Sequence, residues 1–123
     1  MPQLLARLDG LIAASKDDAV RGELRARRAA YLARIGAFDE AQHAITALRS
    51  DFLDGRSPRV SIWIMLAEGL LHTFRELSEE GSDRILRAQT LASATRDRTL
   101  IAATSAWRAH LQFERSQFKG MVR

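Results

Sequence analysis

The chain has 123 residues, 46% of them hydrophobic, which suits one domain with a continuous core. It contains no cysteine, which excludes disulfides, thiolate metal sites and cysteine nucleophiles. The net charge of +4 rests on 19 basic residues, 17 of them arginine, against 15 acidic ones, a balance that permits a nucleic-acid or acidic partner without requiring one.

Long stretches of Ala, Leu, Arg and Glu, two prolines and no two-residue alternation make the expected class all-α. The opening MPQLLARLDGLIAASK puts Asp9 inside what would be the apolar region of a signal peptide and lacks a basic leader, so a cytoplasmic protein is expected. From Pro2 to Ala14, Leu4, Leu5, Leu8, Leu11 and Ile12 share one face of an amphipathic helix. Ser15 to Asp18 reads as a turn whose aspartates cap the next helix. That helix runs to about Ile35 with Val20, Leu24, Tyr31, Leu32 and Ile35 facing inward, and Gly36 supplies its stop. A third helix, from Phe38 to about Arg49, follows in a tight hairpin, with Phe38, Ala41, Ile45 and Leu48 on one face.

After the loop SDFLDGRSP, Ser57 and Pro58 form a strong helix start, N-cap serine followed by proline at the first helical position. The helix they open, PRVSIWIMLAEGLLHTFREL, is apolar around most of its circumference and is expected at the centre of the fold. Glu68 interrupts its apolar run well before the roughly 20 residues a bilayer needs, so no membrane is expected. It is expected to end near Glu79 to Gly81. A fifth helix from Asp83 to about Ala94, capped by Ser82, carries Ile85, Leu86, Leu91 and Ala92, and a sixth from about Asp97 to Arg115 carries Leu100, Ile101, Thr104, Trp107 and Leu111.

The chain repeats itself at a spacing of 40, which aligns Val20, Val60 and Leu100, and likewise Tyr31, Leu71 and Leu111. A spacing of 80 pairs Phe38 with Phe118 and Ala41 with Met121. The unit is a helical hairpin, and its junction, IGAFDEAQHAITAL, resembles that of a tetratricopeptide repeat: a glycine closes one helix, an aromatic opens the next, and alanines follow where the helices approach. The resemblance implies a right-handed superhelical stack of about six or seven helices forming a single domain over residues 1–123, with protein or peptide as its partner. A second run, LAEGLL followed by LRAQTLASATRDRTLIAATSAWRAHLQF, is similar to helical-repeat segments that precede a diguanylate cyclase domain in proteobacterial signalling proteins. It implies the sensory or partner-binding front of a longer protein, in keeping with SQFKGMVR, which opens a hairpin that the chain does not finish.

No phosphate-binding glycine loop, nucleophile elbow or zinc-helix motif is present in the sequence, and neither catalysis nor a cofactor is expected. His72 with Glu76 and His110 with Glu114 have metal-compatible spacing but read as surface pairs, and the acidic group Glu76, Glu79, Glu80 and Asp83 reads as a solvated corner. Trp63 and Trp107 read as core anchors. If the first helix of each hairpin lines a concave face, that groove holds Ala26, Ala30 and Ala33; Leu66, Leu70 and Thr73; and Ala103, Ala106, His110 and Phe113. Such a surface suits a peptide helix or a second copy of the chain. The competing reading is a nucleic-acid or acidic partner on the basic face of Arg21, Arg25 and Arg28, and a third is self-association through Phe118 and Met121.

Overall fold

Helix formers and their caps divide the described residues into six helices. The computed structural model describes residues 2–52, 57–76 and 79–109, and no strand occurs among them. The helices are α1 (Pro2–Ala14), α2 (Asp18–Arg34), α3 (Phe38–Asp51), α4 (Pro58–Glu76), α5 (Glu79–Thr95) and α6, which covers 98–109. The all-α class is as expected.

Local chemistry sets the boundaries. Asp17 accepts from the backbone N–H groups of Ala19 and Val20 at 2.9 and 3.1 Å, satisfying two donors that the first turn of α2 leaves open. At the other end of α2, Gly36 adopts φ +87°, its N–H donates to the Ala33 carbonyl at 3.2 Å, and the Ala37 N–H reaches back to Leu32 at 2.9 Å. This is a Schellman closure, and the left-handed residue in it is the glycine that the sequence marks as a stop. The chain then turns directly into α3. Ser57 caps α4 with a 3.4 Å contact from the Val60 N–H, and Asp97 caps α6 by accepting from Leu100 at 3.1 Å.

α4 occupies the centre, packed against α2, α3 and α5, while α2 also packs on α1 and α3. The chain thus forms two consecutive hairpins, α2 with α3 and α4 with α5, joined through α2 and α4. Val60, Ile62, Trp63, Ile64, Leu66, Ala67, Leu70 and Leu71 are all buried, so α4 is enclosed on several sides, as its composition requires. Thr73 and Thr104 are buried as well, and each hydroxyl donates to the carbonyl one turn back, Gly69 at 2.8 Å and Leu100 at 3.1 Å.

Two helices bury only part of the face expected of them. On α2, Leu32 is buried as expected, but Val20 and Ile35 are 47% and 46% exposed, and the rest of the buried face is Gly22, Ala26, Ala29, Ala30 and Ala33. Small residues let the axes of α2 and α4 approach closely, and a larger apolar side chain at those positions has no room. On α5, Ile85 and Ala92 are buried as expected, together with Ala88, while Leu86 and Leu91 are exposed. α5 also begins at Glu79, so Ser82 lies within the helix rather than capping it, and the residues expected to close α4 open α5 instead. A glycine such as Gly81 costs a helix only about 1 kcal/mol, which packing readily offsets.

Candidate functional site

Two clefts flank α4, one beside Trp63 and the other beside Ile64, Met65 and Glu68, which lie on the opposite face of that helix. The cleft beside Trp63 has a volume of about 430 Å³. Arg27, Tyr31 and Arg34 of α2 form one wall, Leu4 and Leu8 of α1 a second, and Ala103, Ala106 and Trp107 of α6 a third. The wall from α2 is a single stripe, because positions 27, 31 and 34 follow the i, i+4, i+7 spacing of one helical face.

Each arginine of that stripe lies over an indole. The Arg27 guanidinium carbon is 4.8 Å from the Trp63 ring centroid, and that of Arg34 is 6.0 Å from Trp107, the outer limit of a cation–π contact. Between them, Tyr31 and Trp107 pack with centroids 5.7 Å apart and planes tilted by 60°, the offset geometry that aromatic quadrupoles favour. Trp63 is buried at 3% exposure and anchors the core, whereas Trp107 is half-buried and forms a cleft wall.

The charge of this cleft is positive. No acidic residue is among the described residues that line it. Arg27 Nη2 lies 3.5 Å from a Glu23 oxygen, but Glu23 is engaged more closely by Arg59, whose Nε and Nη2 reach its two oxygens at 2.6 and 3.0 Å. One carboxylate therefore serves two guanidinium groups. Arg27 Nε is buried without a hydrogen-bond partner, and among the described residues no carboxylate pairs with Arg34, which is exposed.

The second cleft, of about 360 Å³, has Phe52, Ile64 and Met65 in its apolar part and Arg49, Arg84 and Arg87 around Glu68. There the carboxylate is well placed to neutralise. Glu68 accepts from Arg49 and, at 3.4 Å, from Arg84.

The residues expected to form a groove do not lie together on an open surface. Leu66, Leu70 and Thr73 are buried at 0%, 0% and 2% exposure, and Ala26, Ala30 and Ala33 at 0%, so these six are core rather than groove. The reason is that α2 and α4 pack on each other and on their other neighbours, α2 on α1 and α3 and α4 on α3 and α5, which leaves these faces covered. Ala103 and Ala106 do line the first cleft, while His110 and Phe113 lie outside the described residues.

The basic face is also differently employed. Arg25 pairs with Asp51 at 2.8 Å, Arg28 with Asp9 at 2.7 Å, and Arg21 donates to the Ser15 carbonyl at 3.1 Å. These arginines tie α2 to the end of α3, to α1 and to the turn that precedes it. His43 is exposed on α3, and among the described residues no group of three or more His, Cys, Asp or Glu side chains is placed to hold a metal. His110, Glu114, Phe118 and Met121 fall outside the described residues, as do the side chains of Glu76, Glu79 and Glu80. Among the described residues no helix is long and apolar enough to cross a membrane. No family model, curated protein or solved structure matches the chain.

The Arg27, Tyr31, Arg34 stripe is the feature that reading for apolar periodicity passes over. Its signal is present in RRAAYLAR as two arginines seven apart with an aromatic between them on the same face. Only the fold brings Trp63 and Trp107 beneath those arginines.

Proposed function

We propose that the chain is a protein-interaction module that docks a segment of a partner in the cleft bounded by α1, α2, α4 and α6. The observation that carries this reading is the cleft itself: its walls are aromatic and aliphatic, its volume of about 430 Å³ falls in the range of binding sites, and its charged groups are two arginines held over indoles. Guanidinium and phenol groups at neutral pH hold an anion or donate a hydrogen bond, which favours binding over proton transfer. The two consecutive hairpins and the Gly36 closure support a tetratricopeptide-like scaffold, and a role as the sensory or partner-binding front of a cytoplasmic signalling protein, including one with a linked diguanylate cyclase domain, is the wider setting we propose for it.

The two other readings have less support. Arg21, Arg25 and Arg28 already have internal partners, so a nucleic acid would have to compete with Asp9 and Asp51 for them. Self-association through Phe118 and Met121 involves residues outside the described part.

Titration of the isotope-labelled chain with a panel of defined peptides tests the reading. Amide shifts should cluster on Leu4, Leu8, Tyr31, Ala103 and Trp107 and should vanish for Trp107→Ala, whose lowered unfolding midpoint should still leave the chain folded at the temperature of the titration. Shifts that map instead around Arg49 and Glu68, or that survive Trp107→Ala, would overturn it.

A further inference from the structure

The cleft has a ruler built into it. Arg27 and Arg34 are seven residues apart on one helix, which sets their backbone positions about 10 Å apart along the axis at 1.5 Å per residue. Each guanidinium lies over an indole, and Tyr31, packed against Trp107, lines the cleft between them. From this spacing we infer that the docked segment is an acidic amphipathic helix that presents two carboxylates seven residues apart and a bulky apolar side chain between them. The inference rests on the docking reading and specifies its partner.

Charge and geometry both lead there. The described lining carries two cations and no anion, and the nearest acid, Glu23, is shared with Arg59, so a carboxylate brought to Arg27 or Arg34 meets an undercompensated charge. Arg34 is exposed and the Arg27 side chain is one-third exposed at 34%, so each keeps N–H donors for a carboxylate, although the Nε of Arg27 is turned inward. A helix matches the i, i+4, i+7 stripe of α2 with its own, so acids at positions i and i+7 reach the two arginines while the residue at i+3 or i+4 faces the opening. Leu4, Leu8 and Trp107 offer the apolar walls that this middle side chain would fill.

The test uses the full chain and alanine-based helical peptides of about 18 residues, long enough to hold a helix. One carries Glu at two positions seven apart with Leu midway. A second has the same composition with the two Glu three apart, a third has Gln for both Glu, and a fourth has Lys. Binding is read by tryptophan fluorescence, and the affinity of the first should fall as salt rises from about 0.05 to 0.5 M. Arg34→Glu, at an exposed position, should weaken the first peptide by about tenfold or more and narrow its advantage over the peptide bearing Lys. Equal binding of the Glu and Gln peptides, or of both Glu spacings, would overturn the inference while leaving an apolar docking site in place. Failure of every peptide to bind would overturn both the inference and the docking reading.

Discussion

Two glycines of α2 and its boundary look alike in the sequence but are there for different physical reasons. Gly36 has φ +87° and nothing within 4 Å of where a Cβ would lie, so only its backbone conformation demands glycine. Gly36→Ala should cost about 1–2 kcal/mol, the penalty of a left-handed backbone with a side chain, and no change in packing should relieve it. Gly22 sits inside the helix, where alanine would gain about 1 kcal/mol from propensity alone. A Cβ there would stand 2.5 Å from Phe52 Cζ and 3.2 Å from Val60 Cγ1, and Phe52 is a buried ring. The overpacking, at about 1–3 kcal/mol, should outweigh the propensity gain, so Gly22→Ala is expected to be net destabilising. Urea unfolding of the parent and the two glycine variants, each with and without Phe52→Leu, separates the causes: the penalty at Gly22 should disappear or reverse in the Phe52→Leu background, and the penalty at Gly36 should persist.

At the scale of whole helices, the sequence marks where elements begin more clearly than which way they face. Gly36, Ser57 with Pro58, and Asp97 each act through a backbone group beside them, so their signal is local and survives in the fold. The facing of α2 is not local. Hydrophobic periodicity gives weight to Val20 and Ile35, which are the largest apolar side chains near its ends and are exposed, whereas the partner helix selects small side chains that a hydropathy ranking barely registers. The Tyr31 stripe walls a cleft, and Leu66, Leu70 and Thr73 are closed over because α4 is packed between α2, α3 and α5. Legibility therefore fails at the approach of two helices, a pairwise quantity that neither sequence segment contains. A pair of substitutions makes this measurable. Ala30→Leu, fully buried between helices, should lower stability by about 1–3 kcal/mol, and Val20→Ser should stay within about 0.5 kcal/mol. Thermal unfolding of the two variants should give the reverse of the order that side-chain hydrophobicity would suggest.

Across the whole molecule, one ionic chain joins three helices that are far apart in sequence. Glu23 of α2 binds Arg59 of α4, and Arg59 also donates to Asp97, the cap of α6. The hydrogen bonding that Arg59 donates to Glu23 raises the Arg59 pKa above its ordinary value against the opposing effect of burial, which keeps the guanidinium charged at every pH of interest. Asp97 lies below the usual carboxylate range, first because the Leu100 N–H donates to it and then because of the Arg59 charge. A carboxylate whose folded pKa is depressed contributes stability above its unfolded value, about 3.9, and loses it as pH falls through the lower folded value. Unfolding free energy should accordingly be flat through neutral pH with respect to this group and decline only below about pH 4. Asp97→Asn separates the two causes, since asparagine still caps a helix but offers Arg59 no charge. The variant should be less stable than the parent at neutral pH, and the two stability curves should converge as the parent is acidified through the folded pKa. Curves that run parallel through the acid range would mean that the carboxylate charge contributes nothing and that capping alone positions α6. Because α6 carries Trp107, the same substitution should also loosen one wall of the cleft, seen as weaker peptide binding at neutral pH, whereas Arg34→Glu alters binding without altering the acid dependence of stability.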